Sequence, residues 1–321
     1  MPVSKCWSGS ISPECSAICW PTPEVVKGAP FYCRATAGNW DTAAAAGIPV
    51  GYRSNGIGRE NFLRRSLTGV QERQASHMIS VIIPTYNEAI YLPATLDSVA
   101  DSNTNKEVIV VDAGSADGTS DLARARGARV LLSQRQQRAY QMNLGARHAY
   151  SAVLLFLHAD TVLPTAALDH IASSLSENGI VGGGFARRYN SDSLFLRATC
   201  LLADLRMRWT GWFLGDQAIF VRTETFKKLA GFRDLELFED LDFSMRMTKT
   251  GKVTTLHPPV ITSARRFRRD GAVTTTLADL WLTCRYLAGA DPNALAGVRR
   301  SAFFAQSPSA SDSGETTGPK P

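Results

Sequence analysis

From Met78 onward, short continuous apolar runs alternate with longer stretches in which apolar residues recur at helical spacing. A short apolar run is typical of a buried strand, and the helical spacing predicts amphipathic helices. The first predicted strands are Ser80–Ile83, Glu107–Val111, Ala128–Leu132 and Ala152–Leu157, and the helices between them are Ala89–Ala100, Asp117–Arg126 and Arg138–Tyr150. This alternation predicts an α/β fold with a Rossmann-like, mostly parallel sheet flanked by helices.

The pattern continues beyond Asp160 with less regular spacing. The further predicted helices are Thr165–Glu177, Ser193–Trp209, Thr223–Ala230, Asp240–Thr250 and Ala272–Leu287, and the further strands are Ile180–Phe185, Gln217–Val221, Val253–Leu256 and Val260–Thr262. We therefore predict a single domain over residues 78–304.

The two ends of the chain have a different texture. Gly, Pro, Ser and Ala interrupt residues 1–77, where no apolar periodicity persists, and residues 305–321 are rich in Ser, Thr, Gly and Pro. We predict a poorly ordered N-terminal extension and a disordered tail, because such segments have too little apolar surface to bury. Whether residues 1–77 belong to the functional protein stays open.

Composition narrows the classes of partner. The apolar content of 44% is sufficient for a core, and the net charge of +6 suits phosphate-bearing ligands or an anionic membrane surface. Nucleic acid is not expected, because the basic residues are not interleaved with aromatic residues. No apolar run approaches the ~20 residues that span a bilayer, and no secretory signal opens the chain. We expect a cytoplasmic protein, with peripheral contact at the inner face of the membrane left open.

Candidate chemistry gathers at predicted strand ends. The run Ala152–Leu157 stops at His158 and Asp160, and ligands of open α/β sheets bind outside the carboxyl ends of the strands. We interpret Asp160 as a carboxylate that holds a divalent metal ion beside a diphosphate. The alternative is that Asp160 only caps the next helix.

The first two strands end in comparable polar stretches. Pro84, Tyr86 and Glu88 follow the first strand, where no Gly-rich phosphate loop stands, and this rigid turn suits a base and a ribose. Asp112 ends the second strand, where a carboxylate can accept from a base N–H or a ribose hydroxyl. The alternatives are a helix start capped by Asn87 and an ordinary strand–turn–helix connection.

Three later stretches complete the candidate site, and each has an ordinary structural alternative. Arg138, Gln141 and Asn143 can bind phosphate or sugar oxygens, or lie on a solvated helix face. The cationic run 263–269, with Arg265 and Arg266, can clamp a diphosphate, lie on a membrane or remain solvated.

The third stretch is a group of carboxylates that follows a Gly/Trp-rich segment. Glu239 and Asp240 suit a general base, although the helix dipole alone favours acids in a first helical turn. The segment before them forms a candidate pocket that contains Trp212, Gly215, Asp216 and Gln217.

Taken in order, these motifs resemble the family 2 glycosyltransferases of GT-A fold, and within them the radical-SAM/selenodomain-associated branch linked to arsenosugar biosynthesis. The motifs are MISVIIPTYNE (Met78–Glu88), RAYQMNLGA (Arg138–Ala146), LHADT (Leu157–Thr161), FLGDQ (Phe213–Gln217) and SARR (Ser263–Arg266). The resemblance covers about residues 78–295 and implies that residues 78–304 form a GT-A catalytic domain.

The resemblance also implies roles for individual residues. Asp160 is expected to be the metal-binding carboxylate of the D-x-D element, with His158 at the first acidic position and Mn²⁺ or Mg²⁺ as the metal ion. Asp240 is expected to be the catalytic base, with Glu239 beside it. The nucleoside pocket is expected to contain Pro84, Tyr86, Glu88 and Asp112.

The implied reaction is inverting transfer of one sugar from a nucleoside diphosphate sugar, with UDP as the expected nucleotide. The acceptor is expected to be a small molecule or lipid-linked, and to bind at Trp212–Gln217. Two alternatives remain: a nucleotidyltransferase, and a non-catalytic module that binds a nucleotide or a membrane surface.

Overall fold

A computed structural model describes residues 78–304 of the chain. All of the described residues belong to one compact unit. The predicted extension 1–77 and the predicted tail 305–321 lie outside the described residues, so both remain predictions.

Eight strands and ten α-helices make up the described part of the chain. The strands are β1 Ile79–Thr85, β2 Lys106–Asp112, β3 Arg129–Leu132, β4 Val153–Phe156, β5 Thr161–Val162, β6 Ile180–Tyr189, β7 Ile219–Arg222 and β8 Lys252–Thr262. The helices are α1 Leu92–Ala100, α2 Thr119–Ala125, α3 Arg138–His148, α4 Ala167–Ser176, α5 Leu194–Thr210, α6 Thr223–Lys228, α7 Glu239–Met247, α8 Arg265–Asp270, α9 Ala272–Leu287 and α10 Pro292–Phe304. A 3₁₀ turn, Gly215–Gln217, precedes β7.

All eight strands join one sheet in the order β3-β2-β1-β4-β7-β6-β8-β5. The four strands β1 to β4 are parallel, as the alternating pattern predicts. However, β7 runs antiparallel to both of its neighbours, and β5 runs antiparallel to β8. The α/β class is therefore confirmed, and the sheet is more mixed than predicted because the apolar pattern does not encode strand direction.

Burial on both faces explains why the strands read as continuous apolar runs. Successive side chains of a strand point to opposite faces, so Val81 and Ile83 pack on one side of β1 and Ile82 packs on the other. The first face is covered by α1 and α4, and the second is covered by α3 and α7, which place Met142 and Phe243 against the sheet. With both faces covered, the ends of the strands are left for ligand binding.

The glycines of β6 permit close contact with the neighbouring strands. A Cβ atom at Gly183 would lie 2.0 Å from the carbonyl oxygen of Thr254 in β8, and one at Gly182 would lie 2.5 Å from that of Phe220 in β7. A side chain at either position would push the strands apart.

Four elements differ from the sequence prediction, one of which is the unpredicted two-residue strand β5. The two strands expected over Val253–Leu256 and Val260–Thr262 are one strand, β8, and the cationic run forms helix α8. Helix α10 was not predicted, although its signals are present in the sequence. Pro292 occupies its first position, and the carboxylate of Asp291 accepts from the main-chain N–H groups of Asn293 and Ala294.

Candidate active site

The candidate site lies at the carboxyl ends of β1, β2 and β4. Thr85, the last residue of β1, pairs with Asp112, the last residue of β2, and β4 ends just before His158 and Asp160. Because β1 lies between β2 and β4, these two strands are roughly 10 Å apart. Asp112 is the last residue of β2, and Asp160 follows β4. The sheet topology thus brings both predicted carboxylates to one edge.

The carboxylate of Asp112 is buried and fully hydrogen-bonded within this edge. It accepts from the hydroxyls of Thr85 (3.0 Å), Ser115 (2.5 Å) and Ser120 (3.0 Å), and from the main-chain N–H of Ser115 (2.9 Å). Burial raises the pKa of Asp112, but these bonds outweigh it and hold the pKa below its usual value. Asp112 therefore orders the turn after β2, and its contact with a nucleoside stays a prediction.

Arg265, at the start of α8, joins two predicted site residues that are distant in sequence. Its guanidinium donates to both carboxylate oxygens of Glu88, at 2.8 and 2.5 Å, and its Nε lies 3.3 Å from Oδ2 of Asp160. The same guanidinium lies over the ring of Tyr91, 4.6 Å from its centroid. Arg265 thereby brings the turn after β1 and the end of β4 together, with a positive charge between two carboxylates.

Gly215 separates His158 from Asp240. A Cβ atom at Gly215 would lie 2.4 Å from Nε2 of His158 and 3.1 Å from Oδ2 of Asp240. The main-chain N–H of Gly215 donates to that same oxygen of Asp240 at 2.5 Å. Only a glycine leaves room for this approach, so the predicted pocket residue Gly215 does contact the predicted base.

The surroundings of the His158 imidazole favour its neutral form. Burial lowers the pKa of His158, and the nearby positive charge of Arg138 lowers it further, while Asp160, Asp216 and Asp240 oppose both effects. A neutral imidazole has an unprotonated ring nitrogen, which can accept a hydrogen bond or bind a metal ion.

The three carboxylates at the start of α7 have different surroundings. Glu239 is buried, its Oε1 lies 2.8 Å from Nε of Arg138, and burial raises its pKa. Asp242 lies between Arg233 and Arg246, at 3.0 and 2.8 Å. Asp240 is half-buried, and among the described residues it forms no salt bridge. Of the three, Asp240 is the carboxylate that is not paired with an arginine within residues 78–304, and its role as the base stays a prediction.

Two predicted donor-binding amides make framework contacts. Nε2 of Gln141 donates to the carbonyl oxygens of Thr85 (2.9 Å) and Val111 (2.8 Å), which ties β1 to β2. Asn143 donates to the carbonyl oxygen of Phe232 (2.8 Å) and accepts from the N–H of Phe232 (3.0 Å). Both amides therefore have structural partners that the sequence prediction did not include, and donor binding by them remains a prediction.

Two residues of the predicted acceptor pocket, like the two amides, have structural partners. Gln217 is buried and its side-chain oxygen accepts from the N–H of Leu214 at 2.8 Å, so it fixes the turn itself. Asp216 forms an ion pair with Arg187 of β6, whose guanidinium lies 5.0 Å from the centroid of the Tyr189 ring. Burial raises the pKa of Asp216, but the charge and the hydrogen bond of Arg187 bring it below its usual value.

Arg187 was missed by the sequence reasoning, although the Arg-Arg-Tyr sequence at the end of β6 was a signal for it.

The remaining predicted residues have different surroundings. Tyr86 is exposed, and Pro84 is buried in β1. Trp212 packs against an apolar cluster that contains Leu237, and Arg266 pairs with Asp279.

The described residues supply only part of a metal coordination shell, so a bound diphosphate would have to supply the rest. Within residues 78–304, no group of three or more His, Cys, Asp or Glu side chains is arranged to hold a metal ion. Asp160 offers one carboxylate and His158 one imidazole, and the carboxylate of Asp160 opposes the lowering of the pKa of His158. Mg²⁺ is commonly held by one or two carboxylates together with substrate phosphates, and imidazole also suits transition metals. The residues fit a divalent metal ion whose coordination is completed by a diphosphate.

Comparison with known proteins identifies relatives of this chain. Residues 80–234 match the family model described as glycosyl transferase family 2. A PGL/p-HBAD biosynthesis glycosyltransferase of Mycobacterium bovis is 29% identical over 224 residues, which cover 64% of this chain and 82% of that protein. An undecaprenyl-phosphate 4-deoxy-4-formamido-L-arabinose transferase of Aeromonas hydrophila is 29% identical, over 45% of this chain and 48% of that protein.

Solved structures give more distant similarities. A mannosyltransferase from Pyrobaculum calidifontis, in complex with GDP-Man and Mn²⁺, is 22% identical with a TM-score of 0.48, over 72% of this chain and 76% of that chain. TarS of S. aureus in complex with UDP-GlcNAc is 20% identical with a TM-score of 0.48, over 58% of each chain.

Proposed function

Because this chain carries a glycosyl transferase family 2 domain, we propose that it transfers a sugar from a nucleoside diphosphate sugar, with UDP as the nucleotide, to an acceptor hydroxyl with inversion. Glycosyl transfer follows from the predicted family, which the comparisons confirm. The donor nucleotide, the metal ion, the stereochemistry and the acceptor are the parts proposed here. The arsenosugar branch of the family remains a prediction.

The position of Asp240 is the observation that carries the proposed mechanism. Its neighbours Glu239 and Asp242 are paired with arginines, whereas Asp240 is half-buried beside Gly215 and His158. As a carboxylate, Asp240 removes the proton of the acceptor hydroxyl while the oxygen attacks the anomeric carbon. The bond between that carbon and the diphosphate oxygen breaks, and the electron pair leaves with the nucleoside diphosphate. Such base catalysis commonly contributes about 10²–10⁴-fold to the rate.

The donor lies across the strand ends in this proposal. The ring of Tyr86 is exposed and available to the base, while Glu88 is fixed beside it by Arg265. Asp160 and His158 would hold a divalent metal ion, which would supply positive charge beside the leaving diphosphate. Arg265 contributes a further positive charge, since its guanidinium already contacts Asp160.

A lipid-linked acceptor is supported by the name of the Aeromonas hydrophila relative, which includes undecaprenyl phosphate. A small-molecule acceptor remains the alternative. The two differ in a simple assay, because a lipid-linked product partitions into an organic phase.

A panel of UDP-sugars and GDP-sugars with Mn²⁺, Mg²⁺ or EDTA tests the proposal. We expect slow release of nucleoside diphosphate from a UDP-sugar, dependent on metal ion, and a product whose anomeric configuration by NMR is opposite to that of the donor. Release of sugar 1-phosphate, with the nucleotidyl group transferred, would instead indicate a nucleotidyltransferase. Binding without turnover across many acceptors would indicate a non-catalytic module.

A further inference from the structure

Helix α5 exposes an apolar stripe along its outer face. Its buried side packs Leu196, Cys200, Ala203 and Met207 against the rest of the domain. Its opposite side leaves large apolar side chains exposed, among them Trp209 at 83%. The members of this α5 stripe are Leu194, Phe195, Leu201, Leu202, Leu205 and Trp209.

Helix α9 has a second stripe of the same kind. Its side chains recur at intervals of three or four residues, so they share one face of the helix, and each of them is exposed. The members of this α9 stripe are Val273, Leu277, Leu280, Trp281, Cys284 and Leu287.

The segments that lead into the two helices are in contact. Asn190, just before α5, accepts from the N–H of Ala264, just before α8 (2.8 Å). The rings of Tyr189 and Phe267 meet edge to face with centroids 4.8 Å apart. Both helices therefore start from one region, next to Arg265 of the candidate site.

The charges around the stripes are mostly positive. Arg197 and Arg208 are exposed on α5, with Arg197 lying 3.7 Å from the exposed carboxylate of Asp192, and Arg285 lies 5.9 Å from the centroid of the Trp281 ring on α9. The single acid of each helix, Asp204 or Asp279, is paired with an arginine. An apolar face with tryptophans and a cationic border is the pattern of a helix that lies in the headgroup region of an anionic bilayer.

We propose that the stripes of α5 and α9 form a surface that binds an anionic lipid bilayer. Within residues 78–304, no helix is long and apolar enough to cross a membrane, so the surface binds peripherally. The proposal does not depend on glycosyl transfer. If the proposed function holds, the surface places the site near a lipid-linked acceptor.

Co-sedimentation of the full chain with vesicles tests this surface. Vesicles of phosphatidylcholine alone are compared with vesicles that contain phosphatidylglycerol. We expect stronger binding to the anionic vesicles, and a loss of about tenfold or more for Leu202→Gln/Leu205→Gln and for Leu277→Gln/Leu280→Gln, because each burial of a leucine is worth at least about tenfold. Leu132→Gln is the matched control, since Leu132 is equally exposed on β3, far along the sheet, and we expect no change.

A second pair of substitutions tests the charges without changing the apolar face. Arg197→Gln and Arg208→Gln are each expected to reduce binding to anionic vesicles about fivefold and to leave binding to neutral vesicles unchanged. Donor hydrolysis in solution is expected to stay at the wild-type rate in all of these variants, which distinguishes failure of this surface from failure of the proposed function.

The proposal is overturned if the wild-type protein does not bind anionic vesicles, or if the stripe variants bind as well as the Leu132→Gln control. It is also overturned if the wild-type protein forms a dimer that the stripe substitutions dissociate and binds no vesicles, because a second copy then covers the stripes.

Discussion

Gly215 shows how closely single residues constrain the site. Its missing side chain allows His158 and Asp240 to approach from two sides. In Gly215→Ala, the added methyl group would overlap the imidazole, so one of the two side chains must move. A displacement of about 1 Å can cost about 10²-fold in rate, and we expect a loss of that order in kcat from assays at saturating donor.

Gly297 provides a control for this substitution. A Cβ atom there meets nothing within 4 Å, and Gly297 lies inside α10. We expect Gly297→Ala to keep full activity and to gain up to about 1 kcal/mol of stability from helix propensity. Equal activity in Gly215→Ala and Gly297→Ala would show that the approach of His158 and Asp240 is irrelevant to turnover.

Asp112 gives a prediction about pH. Because the folded-state pKa of Asp112 is lower than the unfolded-state value, its carboxylate stabilises the fold above the unfolded value, and this contribution is lost as the pH falls through the folded value. Asp112→Asn leaves the hydroxyl and N–H donors without their charged acceptor. We expect it to lower the free energy of unfolding by roughly 1–3 kcal/mol at pH 7, by denaturant titration, with a difference that shrinks below about pH 4.

Asp121→Asn is the corresponding control, since Asp121 is exposed and, within residues 78–304, its ion pair is with Arg124 three residues later. Its effect is expected to stay within about 0.5 kcal/mol. A destabilisation by Asp112→Asn that persists unchanged to low pH would contradict the assignment of these hydrogen bonds to the ionised carboxylate.

At the scale of elements, α8 joins the end of β1 to the end of β4. Arg265 accomplishes this with a fork of two bonds to Glu88 and a contact with Asp160. A lysine keeps the charge but cannot form the fork. We expect Arg265→Lys to raise the Kd of the donor about tenfold, measured by calorimetry with Mn²⁺ present.

Arg268→Lys is the matched control, because Arg268 is exposed on the same helix. We expect its donor Kd to equal that of the wild type. If Arg265→Lys also binds donor normally, the link between the two strand ends has no part in donor binding.

The elements also show what the sequence could predict. Helix α5 was predicted over Ser193–Trp209 and forms over Leu194–Thr210. The two ranges agree closely because serine is a common N-cap residue, and the hydroxyl of Ser193 accepts from the N–H of Leu196. The antiparallel direction of β7 could not be predicted in this way, since a short apolar run looks the same in either direction. No helix was predicted over the cationic run, which forms α8.

At the candidate site, strand ends were easier to predict than side-chain partners. Asp112, His158 and Asp160 were placed by the rule that ligands bind at strand ends, and the sheet does bring them to one edge. The framework contacts of Gln141 and Asn143 were not foreseen, because a polar residue on a helix looks the same whether it binds a ligand or a neighbouring main chain. The pairing of Arg187 with Asp216 depends on tertiary contacts that no local pattern reveals.

At the scale of the whole molecule, the proposed mechanism assigns separate roles to two parts of the domain. The strand ends and α8 bind the donor, and Asp240 of α7 accepts the acceptor proton. The most direct test is the rate of nucleoside diphosphate release by Asp240→Asn at saturating donor and metal ion, with its donor Kd measured on the same sample. We predict a rate at least about 10²-fold below that of the wild type and an unchanged Kd. A rate equal to that of the wild type would contradict the account and move the base to another residue.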